Sequence, residues 1–166
     1  QSHALVQLTH TREGYGGTLY TWDDVYLHNC MHPNASTDYF INVRFGERID
    51  YANGRLGTRM RVNPGMDQRF GRHLLMSLNA TWEKMDVDEG RLFTAAIAQL
   101  TASYQFTAEC FLRAVLQHID YDYTTELYSD GRDANHKRLF GQLLFSYKLN
   151  PRTVLFLGYT DNRLGN

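Results

Sequence analysis

Between Arg72 and Lys84 apolar and polar residues alternate: Leu74, Met76, Leu78, Ala80 and Trp82 share one parity, and His73, Leu75, Ser77, Asn79, Thr81 and Glu83 the other. A period of two marks an extended strand, because successive side chains leave opposite faces, whereas a helix repeats every 3.6 residues. One face of this strand is apolar at five positions and the other mostly polar, so the two faces meet different surroundings. The next run is longer. Leu92, Ala96, Ala98, Leu100, Ala102, Tyr104 and Phe106 lie on one side, with Phe93, Ala95, Ile97, Gln99, Thr101, Ser103 and Gln105 on the other. At roughly 15 residues it far exceeds the ~5–6 usual in globular sheets.

Similar runs occupy Cys110 to Tyr123, Arg138 to Leu149 and Thr153 to Thr160. Upstream, Ala4 to Thr11, Thr18 to Leu27, Thr37 to Tyr51 and Arg55 to Val62 read as strands, the last two joined by the hairpin signal Ala52-Asn53-Gly54. Asn63-Pro64-Gly65-Met66 reads as a tight turn. The breaks are short at Asn63–Asp67, Thr107–Glu109 and Asn150–Arg152, and longer or more acidic at Asp86–Gly90 and Thr124–Lys137. Short turns on one rim and longer loops on the other are the habit of outer-membrane barrels. Trp82, Tyr104, Phe106, Tyr121, Tyr123, Tyr147 and Tyr159 gather near strand ends, where an interfacial girdle would lie. The expectation is therefore a single all-β domain over residues 1–166: an antiparallel up-and-down meander forming all or part of a transmembrane β-barrel. The rival is a soluble all-β barrel or sandwich, a binding module with Trp22, Tyr26 and Tyr39 as an aromatic platform.

Composition narrows the field. With 17 Lys and Arg against 18 Asp and Glu, the net charge of -1 supplies no basic field for nucleic acid. Mean hydropathy is -0.47, and no run approaches the ~20 apolar residues of a membrane-spanning helix. That says nothing against a barrel, whose strands need only one apolar face over ~9–11 residues. Cys30 and Cys110 are far apart and leave the redox compartment open. Gln1 to Val6 already alternates like a strand, with no signal peptide visible, which suggests a processed or excised segment of something larger.

Several strings carry a resemblance: Gly90-Arg91-Leu92-Phe93-Thr94-Ala95, Gln105-Phe106-Thr107, Phe111 to Gln117, and above all Leu143 to Tyr159 with its Tyr-Lys-Leu-Asn-Pro-x-Thr-Val-x-Phe-Leu-Gly-Tyr hairpin. Over about residues 69–162 the chain resembles the C-terminal outer-membrane β-barrel region of a bacterial family of unknown function, in which the barrel follows a carbohydrate-binding-like domain. The resemblance implies a bacterial outer-membrane location, against a secreted or periplasmic one for the soluble rival. It implies an anchor or pore linked to carbohydrate binding or uptake, and no reaction. Such barrels end in one more strand closing on an aromatic residue, whereas Asn166 follows a polar stretch. The implication is a fragment whose nine strands need a tenth, or a partner, to close. The partners expected are a lipid bilayer, the rest of its own chain or another barrel subunit, and carbohydrate.

On this reading His73, Asn79, Glu83, Gln99, Arg113, Gln117 and Lys148 are lumen-facing, and Leu74, Met76, Leu78, Trp82, Leu100, Leu143, Phe145 and Tyr147 are lipid-facing. His28, Cys30 and His32 have metal-like spacing, though with Pro33 next and no fourth ligand nearby they read first as loop residues. The carboxylates of Asp86–Glu89 and of Asp130 and Asp133 read as solvated loop charges, since neither group has EF-hand spacing. There is no Gly-x-Ser-x-Gly elbow, and Gly14-Tyr15-Gly16-Gly17 precedes a strand instead of a helix, so neither a catalytic residue nor a cofactor is expected.

Overall fold

A computed structural model describes residues 1–150 and 152–165. Nine strands follow one another: β1 (Ser2–Tyr15), β2 (Thr18–Asn34), β3 (Thr37–Asp50), β4 (Arg55–Phe70), β5 (Leu74–Val87), β6 (Gly90–Gln105), β7 (Cys110–Tyr123), β8 (Asn135–Asn150) and β9 (Thr153–Gly165). Each pairs antiparallel with the next, giving a single open sheet in sequence order. The fold is all-β, as the period of two requires, and its strands run up and down in sequence order. The only helical turn among the described residues is a single 3-10 turn, Thr125–Leu127, in the β7–β8 loop.

Three expectations need correction. Asn63-Pro64-Gly65-Met66 is the middle of β4 and not a turn. Ile41 pairs with Pro64, and on the other side the ladder is interrupted between Val62↔Trp82 and Gly65↔Asn79. A proline with no N–H to give breaks one ladder locally without ending the strand. The turn at this rim is Gly71-Arg72-His73, so His73 precedes β5. Second, β5 and β6 join through Asp88 and Glu89 alone, leaving Thr124–Ala134 as the one long connection of the described residues. Third, His28 to His32 lie within β2 and not in a loop, because the strand runs through Pro33 to Asn34. In the final hairpin's turn, Pro151 lies outside the described residues, as does Asn166.

Register fixes the faces, since directly opposed residues share one. Across β5 and β6, Leu74↔Tyr104, Met76↔Ala102, Leu78↔Leu100, Ala80↔Ala98 and Trp82↔Ala96 make one face. The same face continues through Leu112↔Phe145 and Ala114↔Leu143 into Leu157 and Tyr159, and in the other direction through Met66, Val62, Tyr39, Ile41, Val43, Phe45, Leu27 and Val6. The result is an apolar belt about 20–27 Å long along the strands at ~3.3 Å per residue. Nearer the rim of the β7–β8 loop this face turns charged, with His10 and Asp23 2.7 Å apart, Lys84 and Asp86 3.1 Å, and Asp120 and Lys137 3.4 Å.

The other face is concave. The sheet curls far enough for the Asn53 side-chain amide in the β3–β4 turn to donate to the Leu127 carbonyl in the β7–β8 loop at 3.0 Å. The core is small: Trp22, Ile49, Met85, Leu92 and Ala95 are the buried apolar residues among those described, and Ile49, Met85 and Leu92 line a cleft with Tyr128 and Arg132 of that loop. Leu92 departs from its expected face. The register shifts between Met85↔Phe93 and Asp86↔Arg91, leaving Leu92 as the extra residue of a bulge, and it is buried while Ala96 and Ala98 are exposed. The molecular surface is 11020 Å², against roughly 8,500 Å² from the scaling for a water-soluble domain of 19.3 kDa.

Gly46 and Gly65 admit the closest approaches among the described glycines. A Cβ on Gly46, at φ +154°, would lie 2.4 Å from the Asp23 carbonyl oxygen and 2.6 Å from the Asp24 Cα. A Cβ on Gly65 would lie 2.1 Å from the Phe40 ring, a side chain that can swing away. Gly46→Ala is expected to lower stability by about 1–3 kcal/mol, the scale of a strained backbone position, and Gly65→Ala by less. Denaturant titration read by tryptophan fluorescence checks this; equal losses would mean that the Phe40 ring is as immovable as the β2 backbone.

Candidate functional site on the concave face

Chemistry-bearing side chains concentrate on the concave face because that parity of β2, β3 and β4 is polar. Arg44 lies directly opposite Arg61, and Arg59 opposite Gly46, so three guanidinium groups share one patch. Like charges placed across a sheet repel, and neighbouring strands supply the counter-charge. Asp24 on β2 is 3.6 Å from Arg44, and Glu83 on β5 stands between Arg59 at 3.8 Å and Arg61 at 3.5 Å. The Arg44 guanidinium also sits 5.3 Å from the centre of the Tyr26 ring, and Arg48 5.5 Å from that of Trp22. Further along, the Gln117 amide donates to the Gln99 carbonyl oxygen at 3.2 Å.

At the rim, Tyr128 and Arg132 of the β7–β8 loop line an open cleft of about 370 Å³ together with Arg48, Asp50, Glu83, Met85 and Tyr123. The Arg132 guanidinium lies 3.6 Å from the Tyr128 ring centre and 5.0 Å from that of Tyr123, and it also binds the Asp130 carboxylate. Burial pushes the Tyr128 phenol up to about 12, with the Arg132 charge opposing it. Arg132 in turn holds the Asp130 carboxyl below the ordinary carboxylate range, chiefly by hydrogen bonding. In the β3–β4 turn the Tyr51 hydroxyl donates to Glu13 at 2.9 Å, which raises its pKa.

Asn79, Glu83, Gln99, Arg113, Gln117 and Lys148 all fall on the concave parity. His73 lies in the β4–β5 turn, where its Nδ1 meets the Gln105 carbonyl at 2.6 Å. Leu74, Met76, Leu78, Trp82, Leu100, Leu143, Phe145 and Tyr147 share the opposite, convex face, and none of them is buried. Of the aromatic residues expected as a girdle, Trp82, Tyr104, Tyr147 and Tyr159 are convex, while Tyr121 and Tyr123 line the concave mouth. Trp22 and Tyr26 are concave and Tyr39 convex, so these three form no common platform.

His28 and Cys30 do come together, with His3 of β1 as their third neighbour: one ligand atom from each lies within 4.8 Å of the others. The sequence reading missed His3, 25 positions away from His28, because only the β1–β2 register brings it opposite Cys30. It missed the arginine patch too, although Arg55, Arg59 and Arg61 share one parity and signal a charged face. Three of the carboxylates expected as solvated loop charges are engaged, Asp86 by Lys84 and Arg91, Glu89 by Arg55 and Asp130 by Arg132. No protein-family model, curated protein or solved structure matches the chain.

Glu83 is 16% exposed and carries two arginines. Glu83→Gln should therefore lower stability by about 1–2 kcal/mol. Adding Arg61→Gln should recover part of that loss. Unfolding midpoints of the single and double variants test this, and strictly additive losses would show that Glu83 does not neutralise Arg61.

Proposed function

We propose that this chain forms a wall of a bacterial outer-membrane β-barrel, serving as an anchor or pore, with the convex belt against lipid and the concave face against an aqueous lumen. The observation that carries the reading is the convex face itself. Leu8, Leu27, Ile41, Phe45, Leu78, Trp82, Leu116, Leu143, Leu157 and Tyr159 are each more than a third exposed and lie on one continuous surface. Water-soluble proteins rarely expose an apolar patch beyond a few hundred Å². The belt matches the ~25 Å apolar band of such barrels, and the charged row toward the loop rim suits the level where hydrocarbon gives way to headgroups. Strands of 13 to 17 residues fit a tilted crossing.

Backbone polar groups cannot stay unpaired in hydrocarbon, so the outer edges of β1 and β9 must find partners there. A further strand, from the rest of the chain or from another subunit, belongs to this reading. The concave arginines, glutamines and asparagines suit a wet lumen of mixed sign, which favours no ion on charge alone. The link to carbohydrate rests on the resemblance to barrels that follow a carbohydrate-binding-like domain. For the soluble rival, the same convex residues would have to be a core; they are exposed, and its three-residue aromatic platform is divided between faces.

Ala98 and Gln99 are neighbours on opposite faces, Ala98 opposite Ala80 and Gln99 opposite Asn79. Ala98→Arg should cost roughly 2–4 kcal/mol in lipid and impair assembly, while Gln99→Lys should be mild. The measurements are refolding yield into lipid vesicles and the heat-dependent shift in gel migration of a folded barrel. A chain that stays monomeric and folded in water without detergent, or two variants that behave alike, would sink the proposal.

A further inference from the structure

We propose that His3, Cys30 and His28, at the rim of the short turns on the concave face, form a binding site for a borderline-soft divalent metal ion, with zinc as the fitting ion. The register builds it. His3 stands directly opposite Cys30, and His28 lies two positions from Cys30 on the same face, so three side chains from two strands converge without any loop. Their ligand atoms lie within 4.8 Å of one another, and the His3 and His28 ring centres are 5.7 Å apart. Tetrahedral zinc with nitrogen at ~2.0–2.1 Å and sulfur at ~2.3 Å holds its ligands roughly 3.3–3.6 Å apart, so modest rotation of side chains at this accessible edge closes the shell.

The surroundings select the form of each ligand. The Tyr26 hydroxyl donates to Asn42 Oδ1 at 2.8 Å, and His28 Nδ1 meets the same oxygen at 2.7 Å. That oxygen only accepts, so Nδ1 of His28 carries the proton and neutral His28 keeps its lone pair on Nε2. This is the outer-shell arrangement that orients metal-bound imidazoles. His32 repeats it: its Nδ1 lies 2.5 Å from the Asp38 carboxylate, and its Nε2 is 3.8 Å from the Cys30 sulfur. His32 stands outside the cluster of three but next to the sulfur, a further donor that a swing of its side chain would bring to a fourth position. Imidazole with one thiolate suits zinc or copper ahead of the oxygen-seeking calcium and magnesium. On binding, the Cys30 thiol loses its proton to solvent as the sulfur–metal bond forms. The bound ion would tie β1 to β2.

Cobalt(II) is the probe, because a thiolate ligand gives it a sulfur-to-metal charge-transfer band in the near ultraviolet. The full chain, folded in detergent micelles, is titrated with Co²⁺ and then challenged with Zn²⁺, with circular dichroism confirming intact sheet in every variant. The wild type should show the band and lose it to zinc. Cys30→Ser should abolish the band, and Cys110→Ser, at the control thiol, should leave it unchanged. His3→Ala and His28→Ala should each weaken zinc binding at least tenfold, and Asn42→Ala by roughly 10- to 100-fold, as for outer-shell partners. Zinc should raise the unfolding temperature of the wild type and not of Cys30→Ser. A band that survives in folded Cys30→Ser, or zinc affinity unchanged in both folded histidine variants, would overturn the proposal. Neither result bears on the membrane reading, which rests on the opposite face.

Discussion

The whole molecule depends on the ladder between successive strands. Hydrogen bonding to neighbouring strands satisfies the backbone of the inner strands over most of their length, so side chains need not serve the backbone and can specialise by face. That division is unforgiving. A slip of one residue would carry Leu78 and Trp82 to the concave side and Asn79 and Glu83 to the convex one. The register survives where the sequence threatens it: β4 passes through Pro64 with a local gap toward β5, and the shift at Leu92 is confined to the last pairs before a turn. The Leu92 bulge also gives the concave end its apolar floor beside Met85.

The concave face shows what such a ladder asks of electrostatics. Fixing Arg44 opposite Arg61 is unfavourable by itself, and it persists because carboxylates come from the flanking strands, Asp24 on one side and Glu83 on the other. The loop from Thr124 to Ala134 adds a cover at one rim, with Arg132 packed on Tyr128 and the Asn53 amide bound to Leu127. Charge, aromatic faces and one long loop thus make a structured mouth at one end of a trough. At the other end the histidines and Cys30 stand on bare strands.

Alternation was easily read where each face is chemically pure. Leu74 to Trp82 and Ala96 to Tyr104 announced their strands and their faces, and pairing placed them together. It was harder where local signals compete with the ladder. Asn63-Pro64-Gly65 has the chemistry of a turn, yet tertiary pairing on the β3 side carries the strand through it. Pro33 misled in the same way, making His28 to His32 look like a loop. Bulges are nearly silent in sequence, so Leu92 looked like its exposed neighbours. Contacts between residues far apart in the sequence, such as His3 with Cys30 across the β1–β2 pair or Asn53 with Leu127 across the trough, depend on register and curl, which no single segment encodes.

The edges of the sheet carry a consequence of counting. Strands alternate in direction, so β1 and β9, both odd, run the same way. A seam made by joining them directly would be parallel, unlike the eight antiparallel pairings within the sheet. On the proposed barrel reading, two copies inserted with the same orientation would inherit that seam twice, because rotation about the membrane normal leaves strand direction unchanged. Only an odd number of additional strands lets the cylinder close with every neighbour antiparallel. Strand direction alone therefore separates the ways of completing the wall, before any side chain is considered.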